Sequence, residues 1–167
     1  MKIQGEAVLL GDNINTDFII SGRYKFSITD VKELAKHIME DIDPEFPQKL
    51  KPGLSVIVAG ENFGMGSSRE QAPLVIKESG IVCVVAKSFA RIFYRNGFNI
   101  GLPLIQADTS KIKEKDALLI DLDNSLLEDM SQKLTLTLQP LSPVMQKLLA
   151  DGGIVRHLKK HQGKLEL

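Results

Sequence analysis

The chain has one cysteine, no tryptophan and two tyrosines among its 167 residues, and its 21 lysines and arginines equal its 21 aspartates and glutamates. A single thiol excludes a disulfide framework, and it cannot hold an iron–sulfur cluster, which takes several. Cys83 lies in the apolar run Ile81-Val82-Cys83-Val84-Val85 and reads as a small buried hydrophobe. The balanced charge, without a long basic run, argues against a nucleic-acid partner. No apolar run approaches membrane-spanning length. The start, Met1-Lys2-Ile3-Gln4-Gly5-Glu6, does not read as a secretion signal, because the apolar stretch that follows is too short and carries Glu6. The expectation is a cytoplasmic protein whose residues 1–167 form a single domain, with no internal repeat or low-complexity segment.

What is present is organised around Gly60-Glu61-Asn62-Phe63-Gly64-Met65-Gly66-Ser67-Ser68-Arg69-Glu70-Gln71-Ala72-Pro73. The run Leu54–Ala59 before it has the length and β-branched content of a buried strand, and Ala72, Val75, Ile76 and Ser79 after it follow a helical period. Three glycines in the connecting loop allow a close approach by a ligand. Ser67 or Ser68 is the expected helix cap, since Ser67-x-x-Glu70 and Ser68-x-x-Gln71 both fit a capping box. Pro73 keeps the helix from beginning far before Arg69. Unpaired N–H groups and the positive end of a helix dipole would then face an anion, with two hydroxyls beside it and the Arg69 fork suited to a carboxylate. A Walker-type phosphate loop fails, because Ser67 stands where its lysine should be. The dinucleotide pattern fails because Arg69 takes the place of its third glycine.

The run Asn62-Phe63-Gly64-x-Gly66-Ser67-Ser68-Arg69-Glu70 resembles the signature of the mobile swivel domain of the aconitase superfamily. In the two-subunit members of that superfamily the swivel domain is a separate small protein. A second match is the family's turn, carried here by Asp12, Ile14, Thr16 and Asp17, and a third is Lys87–Gly97 followed by Gly101-Leu102-Pro103. Two positions depart from the common pattern, Met65 for a frequent cysteine and Gln71 for a frequent histidine.

The resemblance covers nearly the whole chain and implies an α/β fold, a three-layer β/β/α swivelling domain with a partly parallel sheet. It implies reversible dehydration and rehydration of a hydroxy dicarboxylate of the 2-/3-isopropylmalate kind, as in leucine biosynthesis. Ser67 would be the catalytic base, Ser68 and Arg69 would bind substrate carboxylate, and Asp17 would fix a neighbouring group in the site. Tyr24, Lys25, Phe26 and Ser27 would form the loop that meets the variable end of the substrate. Phe26 favours an apolar substituent, whereas Lys25 leaves homoaconitate, citraconate-type and 2,3-dimethylmalate acids open. This chain would bind no metal or cofactor of its own. The implied partner is a large subunit carrying a [4Fe-4S] cluster, in a heterodimer or heterotetramer.

The remaining segments are read from their patterns. Residues 2–10 alternate as a strand, Gly11–Asp17 is a turn without the glycine and glutamate of a calcium loop, and residues 18–28 lack a clean period, as a flexible lid would. Thr29 or Asp30 caps a helix to about Met39, with His37 structural and without a visible partner. Asp43–Pro47 and Lys51–Gly53 are loops. Ser88 caps a helix whose Phe89, Ile92, Phe93 and Asn96 share a face and whose C′ residue is Gly97. Arg91 and Arg95 on that helix serve the anion site, a partner contact or simple packing with their stems. Ala117–Leu122 and Lys133–Leu138 read as antiparallel strands with a turn at Asp123-Asn124. Ser142 and Pro143 start a helix ending at Gly152-Gly153, and the cationic His157–His161 stretch is a solvated helix terminus.

Overall fold

The computed structural model describes residues 1–25 and 27–164. The β-branched run Ser55–Ala59 forms a fully buried strand, β2, after β1 (Lys2–Leu9), and β3 (Cys83–Ala86) is buried to the same degree. Continuous apolar runs of this kind mark parallel strands covered on both faces. With β4 (Leu104–Gln106) they make the parallel half of a seven-stranded sheet of order β4-β3-β2-β1-β5-β6-β7. The hairpin strands β5 (Ala117–Asp121), β6 (Leu126–Asp129) and β7 (Leu134–Thr137) form the antiparallel half. β1 joins the halves, parallel to β2 on one edge and antiparallel to β5 on the other. The partly parallel α/β architecture is the expected one, with the antiparallel layer continuous with the first. Strand β6 was not anticipated. Its four residues, Leu126-Leu127-Glu128-Asp129, bury only Leu127 among their apolar side chains, so their pairing is set by the strands on either side.

Helices α1 (Thr16–Ile19), α2 (Gly22–Lys25), α3 (Val31–Ala35) and α4 (Phe46–Lys49) are each about one turn long. Segment 18–25, expected as a lid, anchors itself by burying Ile19 and Ile20. Asp30 caps α3 through bonds from the Lys32 and Glu33 amides, as one of the two expected caps, but the helix stops at Ala35. The cause is tertiary, because Met39 takes φ +56° and its amide donates to Ile19 O. The end of the expected loop Asp43–Pro47 winds into α4 (Phe46–Lys49), with Pro47 in its first turn.

The longer helices are α5 (Gln71–Glu78), α6 (Arg91–Asn99), α7 (Pro143–Asp151) and α8 (Ile154–Lys160). Ser142 caps α7 and Gly152, at φ +77°, ends it, both as the sequence predicts. His157, expected on a solvated terminus, is fully buried instead. Its Nδ1 lies 2.7 Å from Asp151 Oδ2, His161 Nε2 lies 3.2 Å from the same oxygen, and Lys160 donates to Asp151 Oδ1. Asp151 thus pins α8 to α7. The hydrogen bonds from Lys160 and His157 hold its carboxyl well below the usual carboxylate range despite burial. No helix among the described residues is long and apolar enough to cross a membrane.

Candidate active site

The segments following β1, β2 and β3 meet at the carboxyl ends of those parallel strands, where open α/β sheets place their ligands. They enclose a cleft of about 630 Å³. Thr16 comes from the first segment, Gly64, Gly66, Ser67, Ser68 and Arg69 from the second, and Arg91, Ile92, Arg95 and Asn96 from the third.

Main-chain bonds fix the three segments to one another. Gly64 N donates to Ile14 O and Thr16 N to Met65 O, each at 2.8 Å, while Phe63 N donates to Ser88 O at 3.0 Å and Ala90 N to Phe63 O at 2.9 Å. Phe63 is buried with its ring edge-on to Phe93 (centroids 5.3 Å) and Phe89 (6.0 Å). Two glycines are required by this packing. Gly64, at φ +79°, would place a Cβ 2.1 Å from Phe93 Cγ, and Gly66, at φ +92°, would place one 2.4 Å from Asn15 Oδ1.

Asp17, distant in sequence, comes together with the consecutive Ser67, Ser68 and Arg69. The two serines are exposed on the cleft wall. The Arg69 side chain is only 15 % exposed; its Nη2 pairs with Asp17 Oδ1 and its Nη1 donates to Ile20 O at 3.3 Å. Its Nε is buried without a hydrogen-bond partner. Asp17 is itself placed by Asn15, whose side-chain oxygen accepts the Asp17 amide at 2.9 Å.

The expected serine cap is not made. Helix α5 begins at Gln71 after Glu70, which makes no side-chain cap bond, so Ser67 and Ser68 stand in an extended loop before the helix. The loop is held from outside: Thr16 Oγ1 donates to Ser67 O at 2.8 Å. In the sequence Thr16 marks only a turn, because the contact that gives it a role comes from a partner 51 residues away. Ser88 likewise leaves α6 uncapped and accepts the Asn62 amide at 2.7 Å. Gly97, expected beyond the end of α6, lies buried inside it against Leu104. Ile92, expected on the packed face, is 57 % exposed at the cleft.

The loop residues at 24–27 are placed less completely. Tyr24 OH donates to Glu40 Oε2 at 2.7 Å, and its ring stacks on His37 at 4.0 Å. His37 therefore has partners the sequence did not reveal, since its Nδ1 also lies 2.9 Å from Glu40 Oε1. Burial raises the Glu40 pKa, but the Tyr24 and His37 hydrogen bonds outweigh it and leave the carboxyl below its ordinary value. Ser27 Oγ donates to Tyr24 O at 3.3 Å. Neither Tyr24 nor Ser27 lines the cleft. Phe26 and the Lys25 side chain lie outside the described residues. Cys83 is fully buried in β3, and burial pushes its thiol well up, so it stays protonated.

A mixed sheet whose parallel strands present paired serines and an aspartate-paired arginine to one open cleft at their carboxyl ends defines an α/β domain with a site suited to an acidic ligand. Residues 13–109 match the family model described as "Aconitase C-terminal domain", and the chain belongs to that family. It is 50 % identical over 161 residues to "3-isopropylmalate dehydratase small subunit 2" of Archaeoglobus fulgidus, covering 96 % of this chain and 97 % of that one. It is 48 % identical over 166 residues to the 3-isopropylmalate dehydratase small subunit of Syntrophus aciditrophicus, covering 98 % and 100 % of the two chains. Among solved structures, 3-isopropylmalate dehydratase from Methanocaldococcus jannaschii superposes with a TM-score of 0.92 at 49 % identity, over 97 % of this chain and 96 % of that one.

Proposed function

We propose that this chain is the small subunit of a 3-isopropylmalate dehydratase, acting in the cytoplasm in leucine biosynthesis and active only with its large subunit. The observation that carries this reading is the cleft wall itself: two exposed serines beside a guanidinium held by Asp17, with a buried Nε still lacking an acceptor. The planar fork of Arg69 beside two hydroxyls suits a carboxylate entering the cleft. In this reading Arg69 and Ser68 hold a substrate carboxylate and Asp17 keeps the guanidinium oriented. Ser67, as an alkoxide, removes the proton α to that carboxylate and returns one on rehydration.

A serine hydroxyl is a poor base, and each pKa unit by which it must fall requires about 1.4 kcal/mol of differential stabilisation. The helix dipole acts within about the first turn, and α5 begins four residues after Ser67, so it contributes little. The remaining stabilisation must come from fixed donors and cations in a site closed to water. Exposed serines on an open cleft do not meet that condition, which supports a second polypeptide as the cover. An iron–sulfur cluster bound by that large subunit supplies the Lewis acid for the departing hydroxyl. Buried, protonated Cys83 leaves this chain without a thiolate ligand for it.

The test is Ser67→Ala in the complex reconstituted with the large subunit. A kcat lower by about 10²–10⁴-fold is expected for loss of a general base, and near wild-type turnover would overturn the assignment. A substrate panel reads the specificity loop. Highest kcat/KM on isopropylmalate fits Phe26, whereas a preference for homoaconitate would give Lys25 the distal carboxylate.

A further inference from the structure

The serine that the proposed chemistry needs is not placed by its own helix. Its position follows from Thr16, which is 2 % exposed and lies beneath the loop. Thr16 Oγ1 has two acceptors within reach, Ser67 O at 2.8 Å and Asn15 Oδ1 at 3.5 Å. A hydroxyl carries one proton, and the shorter contact takes it. Among the described residues this is the one hydrogen bond that Ser67 or Ser68 makes. Beside it the Thr16 amide donates to Met65 O at 2.8 Å, so the same residue grips the loop on both sides of Gly66.

We propose that Thr16 is a positioning residue for the reaction: its buried hydroxyl fixes the Ser67–Ser68 peptide plane and with it the placement of both serine side chains in the cleft. This rests on the reading of Ser67 as the base. The peptide group is planar and trans, so its C=O and N–H point in opposite directions. With Ser67 O turned down to Thr16, the Ser68 N–H is turned away from it and has no partner among the described residues. It is a donor oriented in advance for an anion. Without the Thr16 hydroxyl the plane can turn about Ser67 ψ and Ser68 φ, since among the described residues no other hydrogen bond holds either serine. A rotation swings the Ser68 donor out of line and frees the loop that carries Ser67 Oγ to shift, so the loss falls on geometry at the reacting carbon.

The experiment compares Thr16→Val, which keeps the side-chain shape and removes the donor, with Thr16→Ser, which keeps the donor, both in the complex with the large subunit. A misplaced base predicts a kcat lower by roughly 10- to 100-fold in Thr16→Val, with affinity for the large subunit unchanged, and Thr16→Ser within about threefold of wild type by rescue of the same bond. A purely structural role would lower the Tm of both variants and leave kcat per folded complex intact, which would overturn the proposal. Equal loss of kcat in Thr16→Ser would also overturn it, because the hydroxyl would then not be the operative group. Thr16→Ala replaces Thr16→Val where that variant does not assemble, with the same expected loss. Ser67→Ala run alongside separates the two ideas. If it stays active, the serine-base reading falls; if it is inactive while Thr16→Val keeps wild-type kcat, only the role of Thr16 falls.

Discussion

Gly64→Ala should be among the most damaging one-methyl changes in this protein. Gly64 has φ +79°, in the left-handed region, where an alanine costs roughly 1–2 kcal/mol relative to its preferred conformations. The added methyl would lie 2.1 Å from Phe93 Cγ and 2.6 Å from Phe93 Cβ. Phe93 cannot step back freely, because it is buried and held edge-on against Phe63. Overpacking of this sort costs about 1–3 kcal/mol. The sum is about 2–5 kcal/mol, a large share of the 5–15 kcal/mol that stabilises a typical domain. At about 2–4 °C per kcal/mol for a chain of this size, Tm should fall by roughly 4–20 °C. Thermal unfolding followed by circular dichroism measures this directly. The Gly64 amide also donates to Ile14 O, tying the serine loop to the Asp17 turn, so turnover of the reconstituted complex should drop even at temperatures where the variant is folded. A Tm within about 2 °C of wild type would refute the argument, since neither the backbone strain nor the collision could then be real.

Asp17→Asn should raise the KM for the dicarboxylate by about tenfold, equivalent to roughly 1.4 kcal/mol, because Arg69 loses the carboxylate that orients it; steady-state kinetics would contradict this if KM fell, which would make Asp17 a competitor of the substrate. Asp151→Asn should lower Tm at neutral pH and flatten the acid limb of the stability profile. The Asp151 carboxyl is held below its ordinary value in the fold, so its stabilisation is complete above an unfolded pKa of about 3.9 and is lost as pH falls toward the lower folded value. Equal acid slopes for wild type and variant in Tm-versus-pH scans would count against that network. Cys83→Ser should cost about 1–3 kcal/mol by burying a hydroxyl without a partner, with iron content and turnover per folded complex unchanged. Loss of iron from the complex in that variant would contradict the buried, protonated state of Cys83.

Local chemistry determined much of this protein before any folding was considered. The apolar runs at 55–59 and 83–86 have one stable destination, a strand covered on both faces, and the serine and proline at 142–143 start a helix wherever they are placed. The serine-arginine loop and the turn ending at Asp17 were legible too, because glycine spacing and Asx chemistry act within a few residues. What the sequence could not decide was which partner each polar group would take. Ser67 and Ser88 both carried good capping signals, but the Ser88 hydroxyl accepts the distant Asn62 amide instead, and Ser67 is held through its carbonyl by Thr16 in a loop ahead of the helix. The end of α3 at Ala35, the burial of His157 beside Asp151 and the pairing of Asp17 with Arg69 have the same origin. Short-range preferences are each worth about 1 kcal/mol. Once packing brings residues 14–16 against residues 64–67, buried donors and acceptors with no access to water must pair with whatever lies opposite, and that requirement outweighs the local preference.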